Sequence, residues 1–294
     1  MPENIGYPPL DTLKTVADGV WIVDGQPIKA GGLLLPVRMT VVKLSAGGLL
    51  LYSPIRYMPD LHGDIAGMGP IRHIVAPNVG HWMFVRDWQL ACPDAKTWAV
   101  PELRYRAQVR AAGLRIDEDL GPVSPADWRD DIDQVLVRSS FFTEIAMLHR
   151  PSRTLMVADL VLNVEGQGMP PLSRIMAKAL GILAPDGRAP LYLRLLLRLN
   201  RAAVADAAAR LVAMEPRRVI VSHGRPLERD ATAELQHSLS WLLGTGNGPV
   251  YGGSAKRLAS PARRRSRMRR LVGIGLAACI GAAAAVRWNR RGSA

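Results

Sequence analysis

Through the first third of the chain, apolar residues fall in short runs broken by Gly, Pro and Asn. GVWIVD (19–24), VRMTVVKL (37–44) and GGLLLYSP (47–54) succeed one another across turn-like segments such as SAGG. The alternation of Val37, Met39 and Val41 is that of a strand, and the three runs together predict a β meander. IRHIVAP (71–77) is a further apolar strand, closed by a Pro-Asn turn. The spacing then turns helical in HWMFVRDWQLACP (81–93), which stops at Pro93. TWAVP (97–101) reads as a short strand, and PELRYRAQVRAAG (101–113) as a helix with Pro at its start and Gly at its end.

A second set of strands follows: VLVRS, EIAMLHR and TLMVADLV, within residues 135–161. Residues 170–214 read mostly helical, with basic side chains on one face. RRVIVSHG (217–224) is a last strand, and DATAELQHSLSWLLG (230–244) a closing amphipathic helix with Asp230 as its N-cap. Two groups of strands, each followed by helices, predict a two-sheet core with helices outside, not a doubly wound parallel sheet.

A chain of 294 residues with 48% hydrophobic content can build such a core. The net charge of +13 first suggests a nucleic-acid binder, but residues 255–294 hold eleven basic residues and no acidic one, leaving +2 for residues 1–254. No aromatic residues interleave with the arginines to stack on bases, so nucleic acid is not an expected partner. The two cysteines, Cys92 and Cys279, supply neither a disulfide framework nor a thiolate zinc site, as in a reduced cytosol. The first residues lack the basic stretch and apolar run of a secretory leader.

Residues 271–286, LVGIGLAACIGAAAAV, are sixteen uncharged residues between Arg270 and Arg287, and Trp288 extends them. A spanning helix needs about 17–25 apolar residues. Flanking arginines and the small residues Gly273, Ala277 and Gly281 favour a bilayer helix over 271–288. The basic excess on its N-terminal side places the main domain in the cytoplasm, behind a single C-terminal membrane span. The expected organisation is a domain over 1–243 with a helical insert at about 170–214, a Gly/Ser/Pro-rich linker over 244–262, and a basic juxtamembrane segment with the span over 263–294.

Chemistry gathers at the ends of strands. LLLYS ends on Ser53, HIVAPNVGH reaches Asn78 and His81, LMVAD ends on Asp159, and VIVSHG on His223. Glu144 stands inside an otherwise apolar strand, with Ala146 on its side and Ile145 and Met147 on the other. Buried carboxylates need partners. His73 reads as structural, His62 as exposed in a turn, and His237 as a surface residue.

The order of PNVGHW, SRTLMVADLVLN and VSHG resembles the metallo-β-lactamase-like superfamily, in an uncharacterised branch known as a domain of unknown function. The resemblance spans about residues 15–243 and implies an αββα sandwich of two mixed sheets, here followed by a C-terminal hydrophobic helix. RTLMVADLV matches the family's Asp motif and VIVSHG its final His motif. HIVAPNVGHWMF stands where an HxHxDH loop belongs and keeps only His81, with Asn78 and Gly80 at ligand positions. Ser53 occupies the place of an Asp.

The resemblance implies a dinuclear site, but with these ligands missing the residues that remain predict a reduced, mononuclear set of His81, Glu144, Asp159 and His223 for one divalent metal (Zn, Fe or Mn). Glu144 and Asp159 are the expected catalytic carboxylates, and Asn78 and Arg225 the expected contacts to an unknown small-molecule substrate. Three functions stay open: a membrane-tethered metal-dependent hydrolase, a catalytically silent binding scaffold with the same fold, and an adaptor whose basic helices and tail hold lipid.

Overall fold

The computed structural model describes residues 6–243. The expected linker, basic segment and membrane-spanning helix lie outside the described residues. Among the described residues, no helix is long and apolar enough to cross a membrane.

The meander forms as β1 (Leu13–Ala17), β2 (Val20–Ala30), β3 (Leu33–Lys43) and β4 (Leu49–Tyr52), each antiparallel to the next. The SAGG reversal uses Gly47 and Gly48 at φ of 89° and 91°, a region that residues with a Cβ avoid. Helix α1 (Pro59–Met68) then leads to β5 (Ile71–Ala76), α2 (Val85–Ala91) to β6 (Lys96–Ala99), and α3 (Ala107–Ala111) to β7 (Glu118–Asp119). From β4 to β7 the strands pair in parallel, so the first sheet reads β1 to β7 in sequence order. Parallel neighbours need crossovers, and these helices lie on them.

The second sheet has the order β11-β10-β9-β8. Strands β8 (Ile132–Arg138), β9 (Thr143–His149) and β10 (Thr154–Val157) are antiparallel. The chain then leaves through α4 (Pro171–Leu180), α5 (Leu191–Leu197) and α6 (Arg201–Ala213), and returns as β11 (Arg218–Val221), parallel to β10. Helix α7 (Ala231–Leu243) closes the domain, its Ala233 N–H donating to Asp230 Oδ1 at 3.3 Å, as expected of that cap.

Strand β9 shows how the layers meet. Ile145 and Met147 pack with Met39, Leu51 and Ile74 of the first sheet, while Ala146 and Leu148 pack with Val204, Leu211, Leu235 and Leu239 of α6 and α7. Two mixed sheets therefore stand back to back with helices outside, the αββα arrangement.

Three elements differ from the sequence reading. DLHGD lies in α1, not a turn: Leu61 and Ile65, four residues apart, are both buried, although Gly63 and Gly67 weaken the local helical signal. His62 is consequently half-buried, against Tyr57 and Trp88. The helix expected over 101–113 breaks at extended Arg106, after a 3-10 turn over Pro101–Tyr105. Leu103 and Val109 are both in the core, yet six residues on one helix would point them to different faces. The strand through Asp159 stops at Val157, for a reason found in the site itself.

Candidate metal site

Four loops meet at one edge of the two sheets. Those after β4 and β5 come from the first sheet, and those after β10 and β11 from the second. They deliver Ser53, Asn78 with His81, Asp159, and His223 respectively.

His81, Asp159 and His223 form the described group able to hold a metal ion. The His81 Nε2 and His223 Nε2 atoms are 3.3 Å apart, and each is 3.4 Å from Asp159 Oδ1. Donors placed about 2.0–2.1 Å from a tetrahedral centre stand about 3.3–3.4 Å from one another. The three atoms thus have the spacing of three corners of a tetrahedral site. The side chains of His81 and His223 are 10% and 7% exposed, against 27% for Asp159, so the group opens to solvent on the carboxylate side.

The far nitrogens of both rings are already committed. His223 Nδ1 lies 2.7 Å from the Pro36 carbonyl oxygen, which only accepts, so Nδ1 carries the proton and Nε2 presents a lone pair in the neutral ring. His81 Nδ1 lies 2.6 Å from Ser53 Oγ. Ser53 sits at φ 56°, a left-handed conformation uncommon for a residue with a side chain. Metal-binding histidines commonly anchor their second nitrogen in this way. Gly224 adds a packing constraint: a Cβ there would come within 2.2 Å of the Asn163 carbonyl oxygen, so the loop behind His223 closes only with glycine.

The structure separates Glu144 from the other expected ligands. Its carboxylate is completely buried and accepts N–H bonds from Ala158 (2.9 Å), Asp159 (2.7 Å) and Leu160 (3.2 Å), and from Asn78 Nδ2 (3.1 Å). These bonds turn the chain after Val157, which ends β10 and sets Asp159. Glu144 is therefore a support behind the group, and its oxygens have no free path to a substrate.

Asn78 is corrected in the same sense. It is fully buried, donates to Asp159 Oδ2 (2.9 Å) as well as to Glu144, and accepts from the Gly80 and His81 amides. With both ends engaged, it ties the His81 loop to the Asp159 turn and is not placed to contact a substrate. Arg225 is half-buried; its backbone exchanges hydrogen bonds with Asn163, and its guanidinium has no ion pair among the described residues.

Two contributors escaped the sequence reading. The Pro36 carbonyl has no side-chain signature. Arg38 did carry a signal, being charged within an apolar strand. It pairs with Asp24 at 2.7 Å, with both side chains buried, and donates to the Val221 and Gly224 carbonyls on either side of His223.

The charges are strongly coupled. Burial pushes the Asp159 carboxyl up, but the charges and hydrogen bonds of His81 and His223 outweigh it and hold the group well below the usual carboxylate range. Burial pulls His223 down, and the hydrogen bond and charge of Asp159 more than reverse it, so the imidazole ends above its ordinary value. Burial, then the charge of Asp159, pushes Glu144 up to about 7 against the pull of its N–H donors.

The fold is that of the metallo-β-lactamase-like proteins. A metallo-β-lactamase from Pontibacter korlensis superposes with a TM-score of 0.53 at 13% identity, over 79% of this chain and 98% of its own. The flavodiiron core of Flv1 from Synechocystis sp. PCC6803 gives 0.54 at 11% identity, over 79% and 60%, and rubredoxin oxygen:oxidoreductase from Desulfovibrio gigas 0.53 at 12%, over 79% and 61%. By sequence, the chain belongs to the family described as Domain of unknown function (DUF4336), which matches residues 17–188, more than half of the chain. That match includes Ser53, Asn78, His81, Glu144 and Asp159 and stops before His223. No curated protein matches the chain.

Proposed function

We propose that this chain is a metal-dependent hydrolase with a mononuclear site built from His81, Asp159 and His223. The observation that supports it most is the triangle of donor atoms, 3.3–3.4 Å on each side, with the outer contact of His223 leaving its Nε2 lone pair directed inward. Three protein donors and one open side suit one divalent ion of the zinc, iron or manganese class. A bound ion supplies Lewis acidity toward a carbonyl or phosphoryl oxygen and makes water more acidic.

The chain's own residues do the positioning. Pro36 and Ser53 hold the two imidazoles. Glu144 and Asn78 hold Asp159, one through the turn's amides and the other at Oδ2. With Glu144 occupied, Asp159 Oδ2 held by Asn78 and its Oδ1 among the three donors, a proton released by an attacking water would leave to solvent on the open side. The fold neighbours range from β-lactamases to an oxygen oxidoreductase, so the fold does not choose the reaction. The single three-donor group among the described residues favours hydrolysis over chemistry that needs two metals.

The test is metal content by mass spectrometry on full-length protein purified without a His tag. About one ion per chain, lost in Asp159→Ala and His223→Ala while circular dichroism is unchanged, is the expected result. No metal, together with a melting temperature unmoved by zinc, manganese or iron, overturns the proposal. It would leave the silent scaffold, in which Asp159 simply pairs with a protonated imidazole.

A further inference from the structure

Helices α4 and α5 leave an apolar surface uncovered. Of the ten residues of α4, only Ala177 is buried, while Leu172 and Ile175 are 70% and 66% exposed. On α5 and the 3-10 turn after it, Leu191, Leu195 and Leu199 fall every fourth residue and are 44%, 54% and 65% exposed. Isolated exposed leucines are ordinary, but aligned rows on two consecutive helices mark an interaction surface.

The charges around the rows are mostly basic. Between residues 165 and 206 the chain carries six basic residues and three acidic ones, Glu165, Asp186 and Asp206. Asp186 is already paired, 2.9 Å from His237 of α7. That contact also places α7 beside the insert, and α7 ends at Leu243, where the segment with eleven basic residues and no acidic one continues.

We propose that the exposed face of α4 and α5 docks on an anionic phospholipid surface, with its leucines and isoleucine at the level of the acyl boundary and its arginines and lysine among the headgroups. Apolar residues bordered by Lys and Arg are the composition of helices that lie in a membrane interface. Attraction to anionic lipid adds to the apolar burial. A second copy of the chain fits less well, because two such mostly basic faces would bring like charges together. Residues 271–286 fit less well for the same reason, being flanked by arginines on both sides.

The experiment is flotation of the full chain with vesicles of equal parts phosphatidylcholine and phosphatidylglycerol, compared with vesicles of phosphatidylcholine alone. The wild-type chain floats with the anionic vesicles and more weakly with the neutral ones. The Leu195→Asp, Leu199→Asp double variant partitions at least about tenfold less. Because both residues are exposed, the fold survives the change, and Val123→Asp, at a 77% exposed position outside the insert, leaves partitioning unchanged. A second pair, Leu172→Asp with Ile175→Asp, gives the same loss from the other helix. Wild-type partitioning in both pairs overturns the proposal and assigns lipid binding to residues 244–294 alone. A wild-type chain that ignores vesicles but sediments as a dimer, broken by either pair, overturns it in favour of a second copy.

Discussion

Glu144 and His73 show two ways in which burying a titratable residue shapes this protein. Glu144 exchanges water for backbone amides, and its effect reaches the candidate metal site through Asp159. Glu144→Gln presents an amide NH2 to a cluster of N–H donors, so the turn over 158–160 loses acceptors. Supports of this kind are worth about 10- to 100-fold in metal affinity. Titration of Glu144→Gln with zinc should show a loss in that range, with the stoichiometry kept at one. His73 accepts a hydrogen bond from Trp98 Nε1 at 3.1 Å and packs edge-on against Trp128. Burial first, and then the charges of Lys96 and Arg72 against that of Asp127, bring it down to about 4 from an ordinary 6.5. Between those values the unfolded chain binds a proton that the folded chain refuses. The contribution of His73 is therefore complete above pH 6.5 and lost as pH falls toward 4, by roughly 3 kcal/mol. His73→Asn keeps an acceptor for Trp98 and should flatten that part of the pH profile in urea unfolding.

At the scale of elements, the meander does more than fill the core. Strand β3 supplies the Pro36 carbonyl to His223 and the Arg38 guanidinium to the carbonyls of Val221 and Gly224. The first sheet thus holds an imidazole delivered by the second. Arg38→Met removes one partner of a buried ion pair, a change that costs about 3–5 kcal/mol because the other charge stays behind. Lys14, 2.9 Å from Asp24, softens that loss. Thermal unfolding should show a melting temperature lower by roughly 10 °C, and zinc affinity should fall as the His223 loop loosens. An unchanged affinity would mean that the hydrogen bond to Pro36 alone orients His223.

For the molecule as a whole, the site is where two separately built sheets are clamped together. His81 and Ser53 come from the first sheet, Asp159 and His223 from the second. An ion bound across that edge stabilises only the folded chain. At about 100 times its dissociation constant, it adds about 2.7 kcal/mol, or roughly 5–10 °C in melting temperature for a domain of this size. Calorimetry with zinc, followed by chelator, should show that rise and its reversal, and Asp159→Ala should show neither.

Much of this architecture is legible in the order of the residues, because side-chain periodicity is a local property. The alternation through Val37, Met39 and Val41 marks the meander, and the change to helical spacing after His81 marks the turn into α2. A carboxylate after LMVA and an imidazole after VIVS stand out because burial makes polar strand ends costly. The tertiary structure decided which polar group meets which. Glu144 was visible as a misfit, but its partners are amides of residues 158–160, and every residue carries an amide. The anchor of His223 is a carbonyl 187 residues away in the chain, again without a side-chain mark. Leu172 and Ala177 occupy the same helix and equally fit a helical pattern, yet one faces solvent and the other the core. Periodicity records that a helix has faces; only the packing of distant segments determines which face is covered.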